Sequence, residues 1–475
     1  MRIVRTIAAK EFLECWRDGR LRAAAAAILI LLAASLLVST QQYMSVRAER
    51  ESADAHDREQ WLSQGDRNPH SAAHFGRYAF KPSNALSFVD QGVNSYLGIA
   101  VWLEAHYQNP FRYRPAEDAN AIQQFGNLSV AIVLQLLLPL LIVLLTFPAF
   151  AGEKDAGTLK QLLSLGVSPT DLATGKLLGL GGTLVVVLMP AIIIGVAALA
   201  LASGADSLST IAGRGIVLAL FYALYFAIVF GLGVAVSSIS RSAPIALLVL
   251  LGFWAASSFI APRAAADLAQ TIHPSPSYVE FWKQVNQDIS QGIDGHNPAD
   301  KRREGLKRAL LARYHVNRVE DLPLNFDGWM LQAGEEYSNT IFDQHYSQLW
   351  NSFEQQDRTS ALFGIVSPFV AIRNMSMGFA GTDFQHHRDF ATQAEQYRRL
   401  INRMMNGDLT YHSRTGQGDY TANASLWKQV PEFSYQTPSL AWVLSRQNLN
   451  LGMLLGWFLF ANGTAWMAVR RLRPE

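Results

Sequence analysis

The residues able to do chemistry in this chain are five histidines, a few acids and one glycine-flanked loop. His70 and His74 stand four residues apart, His106 follows in the same segment, and His386-His387 lie between Asp383 and Asp389. Imidazole is a common ligand for zinc and copper, so metal binding is the first chemistry to weigh. No cysteine accompanies these histidines, no methionine ladder surrounds them, and adjacent histidines cannot easily share one ion. They are read as structural or surface residues, and no metal is assigned. Glu104 and Glu335-Glu336 are candidate paired acids that nothing in the sequence positions, so no catalytic residue is assigned. A Gly-x-x-x-x-Gly-Lys-[Ser/Thr] phosphate loop is absent, because Gly175-Lys176 lacks both the upstream glycine and the following hydroxyl. A Gly-x-Ser-x-Gly elbow and a His-Glu-x-x-His zinc helix are absent too. The sequons at Asn127-Leu128-Ser129 and Asn423-Ala424-Ser425 are short matches of the accidental kind.

The most specific segment is 151–176, AGEKDAGTLKQLLSLGVSPTDLATGK. Glu153 and Asp155 precede Gly157-Thr158-Leu159, an amphipathic run covers 159–165, and Ser168-Pro169 breaks it before Lys176. A short amphipathic helix set between two membrane helices can transmit a push if a partner grips its face.

The elements that must position this loop are apolar. Runs 23–40, 126–150, 177–202, 213–237, 243–261 and 447–469 each reach or approach the roughly 20 residues that cross a bilayer as helix. The fold class is an α-helical polytopic membrane protein with six transmembrane helices. The first run is too long for a signal core and follows a long basic segment, so it is read as uncleaved. Residues 1–22 place Ile3, Ile7, Phe12 and Trp16 at helical spacing among charges, an interfacial amphipathic helix. Lys and Arg concentrate in 1–22, in 151–176, at Arg241 and in the tail 470–475, which sets those segments in the cytoplasm. The loop around Asp206 then lies opposite. So do 41–125 and 262–446, whose charges do not count because long translocated segments are exempt from the rule. The net charge of +2 is spread over compartments that never meet and gives no reason to expect nucleic acid.

The first of these long segments opens with a polar helix-like stretch, 47–64, and is dense in aromatics thereafter. The second carries mainly helical patterns at 278–290, 302–314, 338–355 and 390–405. Both are expected to fold, and to pack together as one mainly helical extracytoplasmic domain built from two insertions. The one cysteine, Cys15, falls in the cytoplasmic N-terminus, so that domain is held by its apolar core and not by disulfides. The apolar runs contain almost no ionisable residue, which disfavours a proton path.

The pattern acid-Lys-x-x-Gly-Thr-Leu-x-x-Leu-Leu-Ser, followed by Val-Ser-Pro and Lys176, resembles the coupling segment of export-type (type-2) ABC transporter permeases. The N-terminal amphipathic helix and the count of six helices resemble that family too. The stretch 68–109, with Asn-Pro-His and Leu-Glu-Ala-His, resembles a permease subgroup with large periplasmic insertions. The resemblance implies a transport subunit of a bacterial inner membrane and not an enzyme. ATP and Mg would be bound by two copies of a separate ABC ATPase. The other implied partners are a second permease copy, identical or related, membrane lipids and a periplasmic protein. It further implies that Glu153, Gly157, Thr158, Leu159, Leu162, Leu163, Ser164, Pro169 and Lys176 couple to the ATPase, and that the second and fifth helices line a dimer cleft. Two other readings stand beside export or extraction of a substrate: ATP-driven mechanotransmission to a periplasmic partner with nothing crossing, and a membrane-anchored metal-binding or hydrolytic protein.

Overall fold

The computed structural model describes residues 1–114, 129–202, 208–291 and 301–472. Asp206, the sequon residues Asn127 and Leu128, and Arg473 of the tail lie outside the described residues. Helix α1 (Arg2–Arg17) runs into α2 (Gly19–Leu62) through Asp18, whose carboxylate accepts from the N–H groups of Arg20 and Leu21. Helix α2 has 44 residues, about 66 Å at 1.5 Å per residue and roughly twice a bilayer's hydrocarbon thickness. No glycine or proline interrupts it after Gly19. The apolar run 23–40 and the polar stretch 47–64, two pieces in sequence, are therefore one rod.

A short helix α3 (Pro69–Phe75) and an antiparallel pair, β1 (Arg77–Phe80) and β2 (Ala100–Leu103), follow, with Arg77 opposite Leu103. Then come α4 (Val130–Asp155), α5 (Thr158–Ser164), α6 (Pro169–Ala202), α7 (Leu208–Ile239) and α8 (Ala243–Ile272). The second insertion supplies α9 (Tyr278–Ser290), α10 (Lys301–Tyr314), α11 (Phe326–Leu362), α12 (Pro368–Ala380) and α13 (Phe384–His412). Helix α14 (Asn448–Arg470) closes the bundle. Six of these, α2, α4, α6, α7, α8 and α14, are long and apolar enough to cross a membrane. This is a helical polytopic membrane protein.

Helix α4 is central. Leu138, Leu141, Ile142, Val143 and Leu145 are buried in one cluster with Tyr225 and Val229 of α7 and Leu454 and Ala461 of α14. Two glycines make that packing possible: a Cβ on Gly233 would collide with Thr146 of α4, and one on Gly231 would lie 2.9 Å from Asn462 Oδ1 of α14. Helices α6 and α8 leave apolar strips exposed, including Ile192, Ile193, Leu248 and Val249.

Away from the membrane, both insertions contribute to one core. Trp61 at the end of α2, Ala72 and Ala73 of α3, and Val101 and Leu103 of β2 pack with Phe390, Ile401 and Met405 of α13 and with Trp427. Trp61 is fully buried, donates its indole N–H to the Trp427 carbonyl at 3.0 Å and meets the Trp427 ring edge-on.

One element departs from the sequence reading. Helix α12 belongs to the second insertion, yet Ala371, Ile372, Met375 and Phe379 join the core of the membrane bundle. Its sequence, PFVAIRNMSMGFA, is apolar but only 13 residues long, too short to register as a crossing. Trp61→Ala should cost about 3–5 kcal/mol by removing a filled core site. Thermal unfolding of the purified full chain would read this as early loss of the non-membrane helices while the bundle persists.

Candidate coupling site

The segment 151–176 is held from three sides. Ser237 of α7 accepts from the N–H groups of Phe150 (2.9 Å) and Ala151 (3.1 Å) and donates to the Phe147 carbonyl (2.7 Å), engaging backbone groups beside Pro148. Lys154 donates to the carbonyls of Ser238 (2.6 Å) and Ser240 (2.9 Å) at the C-terminus of α7, where a cation is favoured. Asp155 accepts from the Ala243 N–H at 2.9 Å, at the start of α8. The ends of α4, α7 and α8 thus form one junction, and α14 ends beside it with Arg471 and Leu472.

The third side is α1, which lies along α6. Gly175 and Gly179, four apart on one face of α6, let it approach: a Cβ on Gly175 would come 2.6 Å from Ile7, and one on Gly179 2.6 Å from the Ala8 carbonyl oxygen. Between these helices lies a buried ion cluster. The Lys176 ammonium, 2% exposed as a residue, sits 2.5 Å from Glu11 Oε1 and 2.9 Å from Glu153 Oε1. Lys10 adds a second cation 3.3 Å from Glu153. Burial alone would depress the Lys10 ammonium, but Glu153, Glu11 and Glu14 outweigh it and hold its pKa above the ordinary value. Glu153 also accepts from the Thr158 hydroxyl. One carboxylate therefore links α1, the end of α4, the start of α5 and α6.

Helix α5 projects from this anchor. Gly157 takes a left-handed φ of +72°, which only glycine adopts freely, and turns the chain from α4 into α5. Pro169 occupies the first turn of α6, where a missing N–H costs nothing. Leu159 is buried, while Leu162 and Leu163 are half-buried against the bundle core. They hold α5 in place. The face turned outward carries Lys160, Gln161, Ser164 and Leu165, and Leu165 is 81% exposed. Of the nine residues singled out in sequence, Glu153, Thr158 and Lys176 meet in one cluster, Gly157 and Pro169 shape the turns, and only Ser164 lies on the exposed tip. Glu11, Lys10, Gly175 and Gly179 complete the site. A Gly-x-x-x-Gly spacing at 175–179 is the sequence signal that announces the last two.

Residues 99–286, from β2's neighbourhood through α4–α8, match the family model described as ABC-2 family transporter protein. Over that span the chain is similar to ABC-2 transporter permeases. Residues 278–436 match a second model, a domain of unknown function (DUF3526). No curated protein matches the chain. The ABC-2 span contains the connector, while the second match covers α9 to α13 and so includes α12.

Helix α12 packs away from the connector, against the bundle. Its hydroxyl groups reach bends in α4 and α8 that have a common cause. Pro139 cannot donate, and its ring crowds the carbonyl of Gln135 four residues back; α4 opens into a π turn over Val133–Leu137. The loosened carbonyls are taken up by Tyr225 Oη (to Gln135, 3.2 Å) and the Trp254 indole (to Leu136, 3.1 Å). The Gln135 side chain bonds Tyr222 Oη at 2.9 Å, and Tyr222 reaches Ser376 of α12 at 2.8 Å. Pro262 does the same to α8, whose π turn spans Ala256–Ile260; there Ser367, capping α12, donates to the Ser257 carbonyl at 2.8 Å. On the opposite face Asn374 meets Asn450 of α14 at 3.4 Å.

Against the last turns of α8, at Ala266, Ala269 and Gln270, lies a cavity of about 670 Å³ walled by Phe111, Trp282, Tyr346, Trp350, Phe353 and Phe384. His387 lines it too, and burial pushes its pKa down to about 3, so it is neutral there.

Lys176→Met leaves Glu11 and Glu153 facing each other with only half-exposed Lys10 between them. It should cost about 3–5 kcal/mol, against under about 1 kcal/mol for Lys10→Met, read as melting shifts in detergent. Cys15, beside Thr183, reports on the α1–α6 seam: burial pushes its thiol up to about 11. Alkylation at pH 8 should run about a hundredfold slower than at an ordinary thiol and quicken as pH rises, since the thiolate reacts. Gly179→Leu, which pries α1 away, should restore much of that rate.

Proposed function

We propose that this chain is the membrane subunit of an ATP-driven exporter or extractor, in which a separate ABC ATPase pushes on α5 and the motion is relayed to the insertions. The observation that carries this reading is the connector itself. Its tip, Lys160, Gln161, Ser164 and Leu165, is exposed, while its root is bolted by Glu153 and Lys176 to α1, α4 and α6. An exposed leucine on a short helix with a fixed base is suited to a socket on a partner, and a rigid base passes force on where a flexible loop would absorb it. In this reading the connector end is cytoplasmic, the insertions are periplasmic, and two ATPase subunits serve a pair of permease chains.

From the base, motion has two routes. Helix α2 carries it as a rod from the Asp18 turn to Trp61. The bends of α4 and α8 pass it to α12 through Gln135, Tyr222, Ser376, Ser257 and Ser367. The aromatic cavity lies against the emerging end of α8 and suits an apolar or amphiphilic cargo.

A second reading, motion delivered to a periplasmic partner with nothing crossing, is favoured by the unbroken length of α2. Substrate-stimulated ATP hydrolysis with transport in proteoliposomes supports the exporter; hydrolysis stimulated by a periplasmic protein without transport supports the lever.

The contact face makes a sharper demand than the loop as a whole. Leu165→Asp combined with Lys160→Glu should lower co-purifying ATPase at least tenfold while expression and melting temperature stay unchanged. Full retention of the ATPase by this variant would reject α5 as its docking element.

A further inference from the structure

Three of the histidines of the first insertion, His70, His74 and His106, converge although they come from two elements. His70 and His74 share one face of α3, four residues apart, and His106 follows β2. One ring nitrogen from each lies within 4.8 Å of the others, and His74 Nε2 and His106 Nε2 are 3.2 Å apart. Two imidazoles on one tetrahedral zinc, each about 2.05 Å from the ion, place their nitrogens about 3.4 Å apart. His386 and His387 are elsewhere, against Trp442 and Phe111 respectively.

The outer faces of two rings are tied down. His106 Nδ1 meets the carboxylate of Glu335, an acceptor for an Nδ1 proton, which is the tautomer that a metal-binding Nε2 requires. Glu335 is 1% exposed and is itself held by Asn402 Nδ2 at 3.0 Å and Arg398 at 3.5 Å. His70 Nδ1 lies 2.9 Å from Asn406 Oδ1, and Asn406 donates onward to Gln332. A carboxylate or amide behind the imidazole is the arrangement that orients a histidine toward a metal. His106 has a left-handed φ of +70°, unusual for a non-glycine residue, and its backbone N–H is fixed by the same Glu335 at 3.0 Å.

We propose that His70, His74 and His106 form a site for a divalent transition cation, zinc or copper(II), with Glu335 and Asn406 as positioning residues. All-imidazole donors without a thiolate or thioether select these ions over copper(I), calcium and magnesium. The ligands belong to the first insertion and the positioning residues to the second, so the ion would tie α3 to the stretch after β2 in a segment that contains no cysteine, on the face where the second insertion packs. This inference is independent of the transport reading. It replaces the expectation that these three histidines are merely structural.

The test uses the full chain in detergent, purified without a polyhistidine tag, titrated with Zn²⁺ and separately with Cu²⁺ by isothermal calorimetry and metal analysis after gel filtration. One equivalent of at least one of the two ions should bind and raise the melting temperature. His74→Ala, at an exposed position, should abolish that equivalent without altering the apo melting curve, and Glu335→Gln should weaken it about 10–100-fold. His412→Ala, at an exposed histidine on α13 outside the cluster, should bind as the parent does. Failure of both ions to bind the parent, or binding of equal strength and stoichiometry in His74→Ala, overturns the proposal.

Discussion

Lys176 is a buried cation shared by two carboxylates from different helices, and the order of the connector end follows from that sharing. An ammonium that loses water must recover the cost from close partners, and Glu11 and Glu153 provide them at 2.5 and 2.9 Å. Satisfying one lysine thus requires α1 to lie against α6, which the glycines at 175 and 179 allow, and the end of α4 to reach the same spot. Thr158 then binds the same Glu153, so the root of α5 inherits the geometry. Replacing Lys176 leaves two carboxylates of different helices without their shared cation, which makes the cluster a register device as well as a contact.

From this anchor the chain offers stiff links in place of loops. Helix α2 leaves the cluster region and runs without a break to the aromatic core at Trp61. The proline-opened turns in α4 and α8 are both bridged to α12 by hydroxyl groups.

Much of this was legible in the sequence. The six apolar runs have no alternative in a soluble core, and the Gly157 and Pro169 breaks delimit the connector to within a residue or two. Other parts were hidden for physical reasons. Glu11 looks like any acid on an amphipathic helix until its burial against Lys176 is seen. Helix α12 is too short to read as a membrane element, because its burial comes from neighbours distant in sequence. Leu162 and Leu163 form an apolar face that spacing alone cannot assign inward or outward, and in the fold both lean on the bundle core. The meeting of His106 with His70 and His74 depends on the β1–β2 pairing, which brings residue 103 opposite residue 77.

The central claim is that α5 is the handle of a separate ATP-hydrolysing subunit. A photoreactive amino acid placed at Leu165 in living cells, followed by mass spectrometry of the cross-linked product, tests it most directly. The account requires a covalent adduct with an ABC ATPase. An adduct with a periplasmic protein, or none while the same probe at other surface positions captures the ATPase, would contradict it.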